Sequence, residues 1–132
     1  MPVRVVTDTS AGLPEHVARD LGITVLDLHM GGDEDDKSTS GLSSLELAAA
    51  YARQLERGGD AGVVALHLSK DLSATWSAAV AASAVFDGSV AVIDTKSVGM
   101  NVGAAAMAAA RIAMDGASLA ECAELAEDTL SR

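Results

Sequence analysis

The sequence is poor in aromatic residues, basic residues and cysteine. Its 132 residues include one tyrosine, one phenylalanine and one tryptophan, and 9 Lys and Arg face 19 Asp and Glu, which gives a formal net charge of -10. A chain of this charge is repelled by nucleic acid and by anionic membrane surfaces. No basic patch with interleaved aromatic residues is present either. We therefore exclude nucleic acid as a partner.

The sequence also has few cysteines and no long apolar run, which bears on its cellular compartment and on membrane insertion. The one cysteine, Cys122, has no partner for an internal disulfide, which suits a reducing compartment, so we expect a cytoplasmic protein. Arg4 and Asp8 interrupt the amino-terminal region before any long apolar stretch, which argues against a signal peptide. The apolar run from Val98 to Ala110 is too short to span a bilayer, and we expect no membrane insertion.

What the sequence does have is a regular alternation of apolar segments. Hydrophobic residues make up 49% of the chain, mostly alanine and valine, which is enough for the core of one domain. Short β-branched runs alternate with segments of helical periodicity and with turn residues. Strands are predicted at 3–6, 23–30, 62–68 and 89–93, and helices at 13–22, 43–57, 72–85, 98–114 and 118–132. The predicted fold class is α/β, a parallel sheet of about four strands flanked by helices.

Two predicted helices carry specific expectations about their surroundings. In the helix over 43–57, we expect one buried face, made of Leu45, Ala48, Ala49, Ala52 and Leu55. The helix over 98–114 has Arg111 as its only charged residue and alanines on every side, so it needs apolar cover on more than one side. We expect the sheet to cover one side and a surface from outside this chain to cover another. That surface would belong to another copy in a homodimer, to a separate polypeptide, or to a domain that this chain does not have.

Hydroxyl groups follow three of the predicted strands. They lie in the stretches 7–10, 69–73 and 94–97. Ligands of parallel α/β sheets bind outside the carboxyl ends of the strands. These hydroxyls are therefore expected to meet along one edge, which we call the carboxyl edge.

Each polar residue near this edge also has a purely structural interpretation. Asp8 can bond backbone amides in a turn, Ser73 can cap a helix, and His67 is more often a packed, satisfied ring than a catalyst. A metal role for Asp8 needs further acids, and only Asp94 could join it. The acidic run 33–36 lacks the alternating ligands and the distant bidentate glutamate of a calcium loop, so a solvated loop is expected there. We expect no metal and no cofactor. The sequence contains no recognisable motif that combines a nucleophile, a base and an orienting residue. It also contains no glycine motif for phosphate binding. We therefore expect that this protein is not an enzyme. An enzyme using Asp8, Asp94 and the lysines of the edge is the weakest alternative.

Three stretches together resemble the DegV family. "VTDTSAGLPEHVARDLGITVLDL", "HLSKDLSATWSAA" and "VIDTKSVGMNVG" are similar, in this order, to family segments that each follow a strand. The resemblance covers nearly the whole chain but only the amino-terminal domain of a usual two-domain member. It implies one DegV-like amino-terminal α/β domain over 1–132, with the carboxy-terminal family domain absent.

The resemblance also implies a function. Family members bind a long-chain fatty acid between their two domains, and some present it to a fatty-acid kinase. By residue match, the carboxylate would be held by hydroxyls and backbone at the carboxyl edge. The implied ligand-binding residues are Thr39, Ser40, Ser73, Ala74, Ser97, Thr9 and Ser10.

The sequence also departs from the family pattern at this edge. The family has glycine where this chain has Ala74, and Gln-Pro where it has Gly41 and Leu42. Two functions therefore stay open: a non-enzymatic protein that binds a fatty acid or other acyl ligand, or a half-length homologue that has lost lipid binding and acts as a homo-oligomeric interaction or regulatory module.

Overall fold

The computed structural model describes residues 3–26, 44–57, 61–67, 75–86, 88–93, 95 and 100–131. Strands and helices alternate through the first four strands, and two helices follow. The strands are β1 (Arg4–Asp8), β2 (Ile23–Leu26), β3 (Val63–Leu66) and β4 (Val90–Ile93). The helices are α1 (Glu15–Leu21), α2 (Ser44–Arg57), α3 (Thr75–Ser83), α4 (Met100–Met114) and α5 (Leu119–Leu130), with short 3-10 turns at Thr9–Ala11 and Ala84–Phe86.

The four strands form one parallel sheet in the order β2-β1-β3-β4. In register, Val5 of β1 lies opposite Ile23 of β2 and Val64 of β3. All four residues of β3 are buried, as expected for a parallel strand that is covered on both faces. The predicted α/β class with a parallel sheet of four strands is confirmed.

Alternating residues of the strands divide the core into two layers. Val5, Val64 and Leu66 belong to one cluster with residues of α1, α4 and α5, and we call this side the α1/α4/α5 face. Val6, Val63 and Ala65 point to the other side, where they pack with residues of α2 and α3, the α2/α3 face. The many alanines let helices and sheet approach closely, which explains how a domain with three aromatic residues fills its core.

β1 is longer at its carboxyl end than predicted. It runs to Asp8 rather than to Val6, and Thr7 and Asp8 pair with Val25 and Leu26 of β2. Both added residues are fully buried. The placement of Asp8 in a turn is therefore wrong, and the turn begins with Thr9. The described part of β2 ends at Leu26, so the rest of the predicted strand 23–30 lies outside the described residues.

The predicted buried face of α2 is wrong in part. Leu45 is 80% exposed, and Ala49 and Ala52 are exposed as well, whereas Leu55 is buried and Ala48 packs against the core. The face that contacts the sheet is turned by roughly a third of a revolution from the predicted one. Its buried members are Leu47, Ala50, Tyr51, Gln54 and Leu55. The polar groups of Tyr51 and Gln54 find partners inside the fold, and the spacing of apolar residues did not include these two residues.

The inference that α4 needs a second chain is also wrong. One side of α4 packs against β1 and the other against α5 of the same chain, and Cys122 and Ala126 of α5 are buried in the shared core. Near its start, α4 lies against the turn after β1. A Cβ atom at Gly103 would be 2.9 Å from the carbonyl oxygen of Ala11. Within the described residues no helix is long and apolar enough to cross a membrane.

Candidate functional site

The carboxyl ends of β1, β3 and β4 bring polar residues together at one edge of the sheet. Asp8 is the last residue of β1, His67 directly follows β3, and Thr95 comes shortly after β4. All three are buried, Asp8 and His67 completely. This is the carboxyl edge that the sequence predicts, seen through its described residues.

A chain of hydrogen bonds links this edge to helix α2. The hydroxyl of Tyr51 lies 2.9 Å from Nε2 of His67, and Nδ1 of His67 lies 2.9 Å from Oδ2 of Asp8. Tyr51, His67 and Asp8 are each 0% exposed. We call these three residues the buried triad. It lies on the α2/α3 face, on the same side of β1 as Val6.

The chemistry of the triad fits a row of hydrogen bonds that ends on Asp8. Burial, followed by the negative charge of Asp8, raises the pKa of the Tyr51 hydroxyl well above its ordinary value, so the phenol keeps its proton. That proton is available to Nε2 of His67, and in the tautomer that accepts it Nδ1 carries the ring proton and donates to Oδ2 of Asp8. The triad thus joins a phenol, an imidazole and a carboxyl group inside the fold.

The order tyrosine, histidine, aspartate is that of a nucleophile, a base and its orienting acid, but the triad cannot act on a ligand as it stands. All three side chains are sealed from solvent, and both nitrogens of His67 are already engaged. A general base must reach the proton that it removes. The expectation that His67 is a satisfied, packed ring is confirmed.

The main chain of His67 is held as well as its ring. The hydroxyl of Thr95 donates to the carbonyl oxygen of His67 over 2.6 Å. The ring bonds Asp8 on one strand and Tyr51 on a helix, while the carbonyl is bonded from beyond β4. The point at which the chain leaves β3 is therefore fixed by three other parts of the fold.

The structure places two of the sequence-predicted ligand residues, and they share one turn. Thr9 and Ser10 belong to the 3-10 turn after β1. Thr9 is exposed and lines a cleft of about 440 Å³ between α1 and β2, with Leu13, Ala18, Arg19, Ile23 and Val25 among the other lining residues. Ile23 and Val25 belong to the α1/α4/α5 face, so Thr9 opens on the opposite side of the sheet from the buried triad.

The other predicted site residues cannot be placed. Thr39, Ser40, Ser73, Ala74 and Ser97 lie outside the described residues, as do Asp94 and the acidic run 33–36. Within the described residues, no group of three or more histidine, cysteine, aspartate or glutamate side chains could hold a metal ion.

Sequence analysis did not find Tyr51 as a partner of His67. The pattern that could have found the pair is a single polar ring inside an apolar stretch, once in "VVALHL" and once in "AAAYARQL". Buried polar groups need partners, so two such groups on adjacent elements predict a contact. Nothing in the sequence alone says which face of α2 turns inwards.

Comparison with known proteins gives one consistent family. A family model described as an uncharacterised protein of the DegV family matches residues 2–132. A DegV domain-containing protein of Corynebacterium glutamicum is 70% identical over 133 residues, covering all of this chain but 48% of that protein. The chain thus spans about half the length of the curated relatives that it matches.

Solved structures agree with the sequence comparison. The crystal structure of a DegV family protein from Corynebacterium glutamicum is 70% identical and superposes with a TM-score of 0.95, covering 100% of this chain and 50% of that one. A second solved structure is of a DegV family protein from Thermus thermophilus, for which fatty acid binding is described. Its sequence is 25% identical to this chain, the TM-score is 0.84, and the match covers 99% of this chain and 54% of that one.

Proposed function

Because this chain belongs to the DegV family, we propose that it binds a long-chain fatty acid or a related acyl ligand, with the carboxylate at the carboxyl edge of its sheet. The observation that carries the proposal is the similarity, over 99% of the chain, to the Thermus thermophilus protein for which fatty acid binding is described. The fatty-acid kinase that the resemblance implies as a partner belongs to the same proposal, as does a cytoplasmic location. The buried, unpaired Cys122 is compatible with a reducing compartment.

The proposed head-group contacts are hydroxyls and backbone groups of the carboxyl edge. A carboxylate is held well by hydroxyl and backbone N–H donors, because each bond to the charged oxygen is stronger than a neutral one. Thr9 and Ser10 stand in the turn that follows β1, and this position at the end of a strand supports the role that we propose for them. We propose that Thr39, Ser40, Ser73, Ala74 and Ser97 complete the set.

The proposed role is binding without chemical change. The most reactive-looking group of side chains in the described residues, the buried triad, has no exposed atom to offer a ligand. The domain would then hold or present the acyl group, and any chemistry on it would be performed by another protein.

Lipid extraction and titration test the proposal. The chain is purified without detergent, extracted and analysed by mass spectrometry, and delipidated protein is titrated with palmitate by calorimetry. We expect co-purifying acyl chains and saturable uptake. Ser73→Ala should weaken the uptake, while Ser83→Ala should leave it unchanged, because the Ser83 hydroxyl only bonds the Val80 carbonyl of its own helix. Absence of acyl chains, with none taken up when palmitate is offered, would exclude the proposal.

A second candidate is a homo-oligomeric interaction module, and one surface favours it. Val80 is 40% exposed and Val85 is 70% exposed on α3 and the turn that follows it. The sequence has no ionisable residue between 75 and 86, in a chain whose net charge is -10. Two copies would repel each other over much of their surface, so this neutral apolar face is where a second copy can pack with least repulsion.

Light scattering tests this second candidate. The second candidate is supported if the wild type is a dimer in solution and Val85→Glu is a monomer. Leu45→Glu, a change at another exposed apolar residue, is the control and should remain a dimer. A monomer at all accessible concentrations excludes it. A further test applies if the wild type takes up no palmitate. If Ala74→Gly does not create palmitate uptake either, acyl binding is excluded and the interaction module is the function that is left.

A further inference from the structure

His67 is the meeting point of four parts of the chain. It follows β3, its ring bonds Asp8 at the end of β1 and Tyr51 on α2, and its carbonyl accepts from Thr95 beyond β4. These partners are 59, 16 and 28 positions away in sequence. In a core made chiefly of alanine and valine, this is a concentrated set of buried polar contacts at one end of the sheet.

Each member of this set also lies near a proposed head-group residue in sequence. Asp8 immediately precedes Thr9, and Thr95 stands two positions before Ser97. His67 precedes Ser73 by six positions, and α2, which carries Tyr51, begins four positions after Ser40. The four places where the proposed hydroxyls leave the sheet or enter α2 are thus joined through one histidine, by its ring and by its carbonyl group.

We infer that Asp8, His67, Tyr51 and Thr95 are positioning residues that set the spacing between the proposed head-group hydroxyls without touching the ligand themselves. This inference rests on the proposed function for its role, but not for its geometry. Hydrogen bonds define orientation more strictly than apolar contacts do, because each needs its donor and acceptor at one distance and angle. The bond from Tyr51 to His67 fixes α2 against the end of β3, and the bond from Thr95 fixes the end of β4 against the same residue.

Spin-label distances test the geometry without any ligand. Labels on Ser38→Cys and Asp71→Cys, in a Cys122→Ala background, report the spacing between the segments that precede α2 and follow β3. We expect Tyr51→Phe to shift or broaden this distance distribution. Thr7→Val is the matched control: Thr7 is the strand neighbour of Asp8, is equally buried, and has a hydroxyl that bonds nothing. It should leave the distribution unchanged. An unchanged distribution in Tyr51→Phe would overturn the inference.

Two substitutions of His67 separate its contacts. The amide nitrogen of Asn lies near the position of Nδ1 and that of Gln near Nε2. His67→Asn can therefore still donate to the carboxylate of Asp8, and His67→Gln can donate to the hydroxyl oxygen of Tyr51, which accepts as well as donates. If the tie to α2 sets the spacing, His67→Gln should retain the wild-type distances better than His67→Asn. Equal loss in both would show that His67 serves stability alone and would overturn the inference. Should Tyr51→Phe fail to fold, Thr95→Val, which removes the bond to the His67 carbonyl, takes its place.

Palmitate titration then tests the role. Loss of one buried hydrogen bond that orients the site should weaken palmitate binding by about tenfold in Tyr51→Phe, with Thr7→Val at wild-type affinity. If the wild type binds no palmitate, the proposed function fails while the spin-label distances still decide the geometry. If the wild type binds and Tyr51→Phe binds equally well, the positioning role fails and the proposed function stands.

Discussion

Tyr51 and His67, one on a helix and one at the end of a strand, are joined by a 2.9 Å hydrogen bond between two fully buried rings. The bond crosses the boundary between the α2 layer and the sheet. The tyrosine ring also packs edge-on against Phe86, at a centroid distance of 6.5 Å. In a chain with three aromatic residues, one tyrosine thus unites α2, the carboxyl edge and the turn after α3.

Removing the Tyr51 hydroxyl should destabilise the fold. In Tyr51→Phe, Nε2 of His67 is left buried without its hydrogen-bond partner, which lowers the free energy of unfolding by roughly 1–3 kcal/mol. Urea unfolding followed by circular dichroism measures this loss.

Thr7→Val is the control for that measurement. It also removes a hydroxyl from a fully buried residue, but the Thr7 hydroxyl has no hydrogen-bond partner. The change should therefore be neutral or stabilising. Equal losses in the two variants would show that the Tyr51 hydrogen bond contributes nothing specific.

At alkaline pH, Tyr51 should lose its proton only when the chain unfolds. Its pKa is raised in the folded state, by burial first and by Asp8 second, while an unfolded tyrosine ionises near about pH 10. Above that pH the unfolded chain binds fewer protons than the folded one, so stability falls as pH rises. Because Tyr51 is the only tyrosine, tyrosinate absorbance at 295 nm should appear together with loss of circular dichroism. Reversible ionisation near pH 10 in a folded chain would contradict the buried triad.

Strand and helix order could be predicted from the sequence because it depends on local patterns. Pro14 caps the start of α1 and Gly22 its end, with Gly22 in the left-handed conformation at φ 69°. The continuous apolar run of β3 predicted a strand buried on both faces, which is what the structure has. Periodicity failed on α2, where alanines on several sides leave more than one apolar face. The inward face was decided by the hydrogen bonds of Tyr51 and Gln54, the second of which accepts from Arg4 over 3.0 Å.

The candidate site could be predicted only as an edge. Parallel topology places the ends of β1, β3 and β4 together, so the meeting of Asp8, His67 and Thr95 was implied once the strands were right. The contact between Tyr51 and His67 was missed, because the spacing of apolar residues was used to orient α2 and the two polar rings were not considered as partners. The extension of β1 over Thr7 and Asp8 was missed because polar residues at a strand end resemble a turn in sequence.

Replacing Gly103 by a residue with a side chain should destabilise the fold. Its Cβ would lie 2.9 Å from the Ala11 carbonyl oxygen and 3.3 Å from Cδ2 of Leu13. Gly103→Ala gains about 1 kcal/mol of helix propensity, but overpacking costs roughly 1–3 kcal/mol, so we expect a net loss of stability. Ala104→Gly, one residue on, should lose about 1 kcal/mol through propensity alone. A raised unfolding midpoint in Gly103→Ala would show that α4 does not approach the turn after β1 so closely.

Cys122 should report the opening of the α4 and α5 pair. Its thiol is fully buried, and burial followed by the charge of Glu121 raises its pKa. Since the thiolate is the reactive form, iodoacetamide at pH 8 should modify the folded chain far more slowly than the urea-unfolded chain. Ala126→Gly lowers the helix propensity of α5 by about 1 kcal/mol and also removes a buried methyl group, so it should speed the reaction by at least roughly fivefold. Equal rates for folded and unfolded chains would mean that α5 does not cover Cys122.

Two leucines in the first turn of α2 report which face of the helix is buried. Leu47 is fully buried, whereas Leu45 is 80% exposed. Leu47→Ala should cost about 2–5 kcal/mol, because it removes buried methyl groups and leaves a cavity in the α2/α3 face. Leu45→Ala should stay within about 0.5 kcal/mol of the wild type. The pair is matched in residue type, substitution and helix, so differences in propensity cancel in a comparison of urea midpoints. A larger loss of stability in Leu45→Ala than in Leu47→Ala would mean that the face with Leu45, Ala49 and Ala52 is the buried one. Tyr51 would then point away from His67, and the hydrogen bond between them would not form.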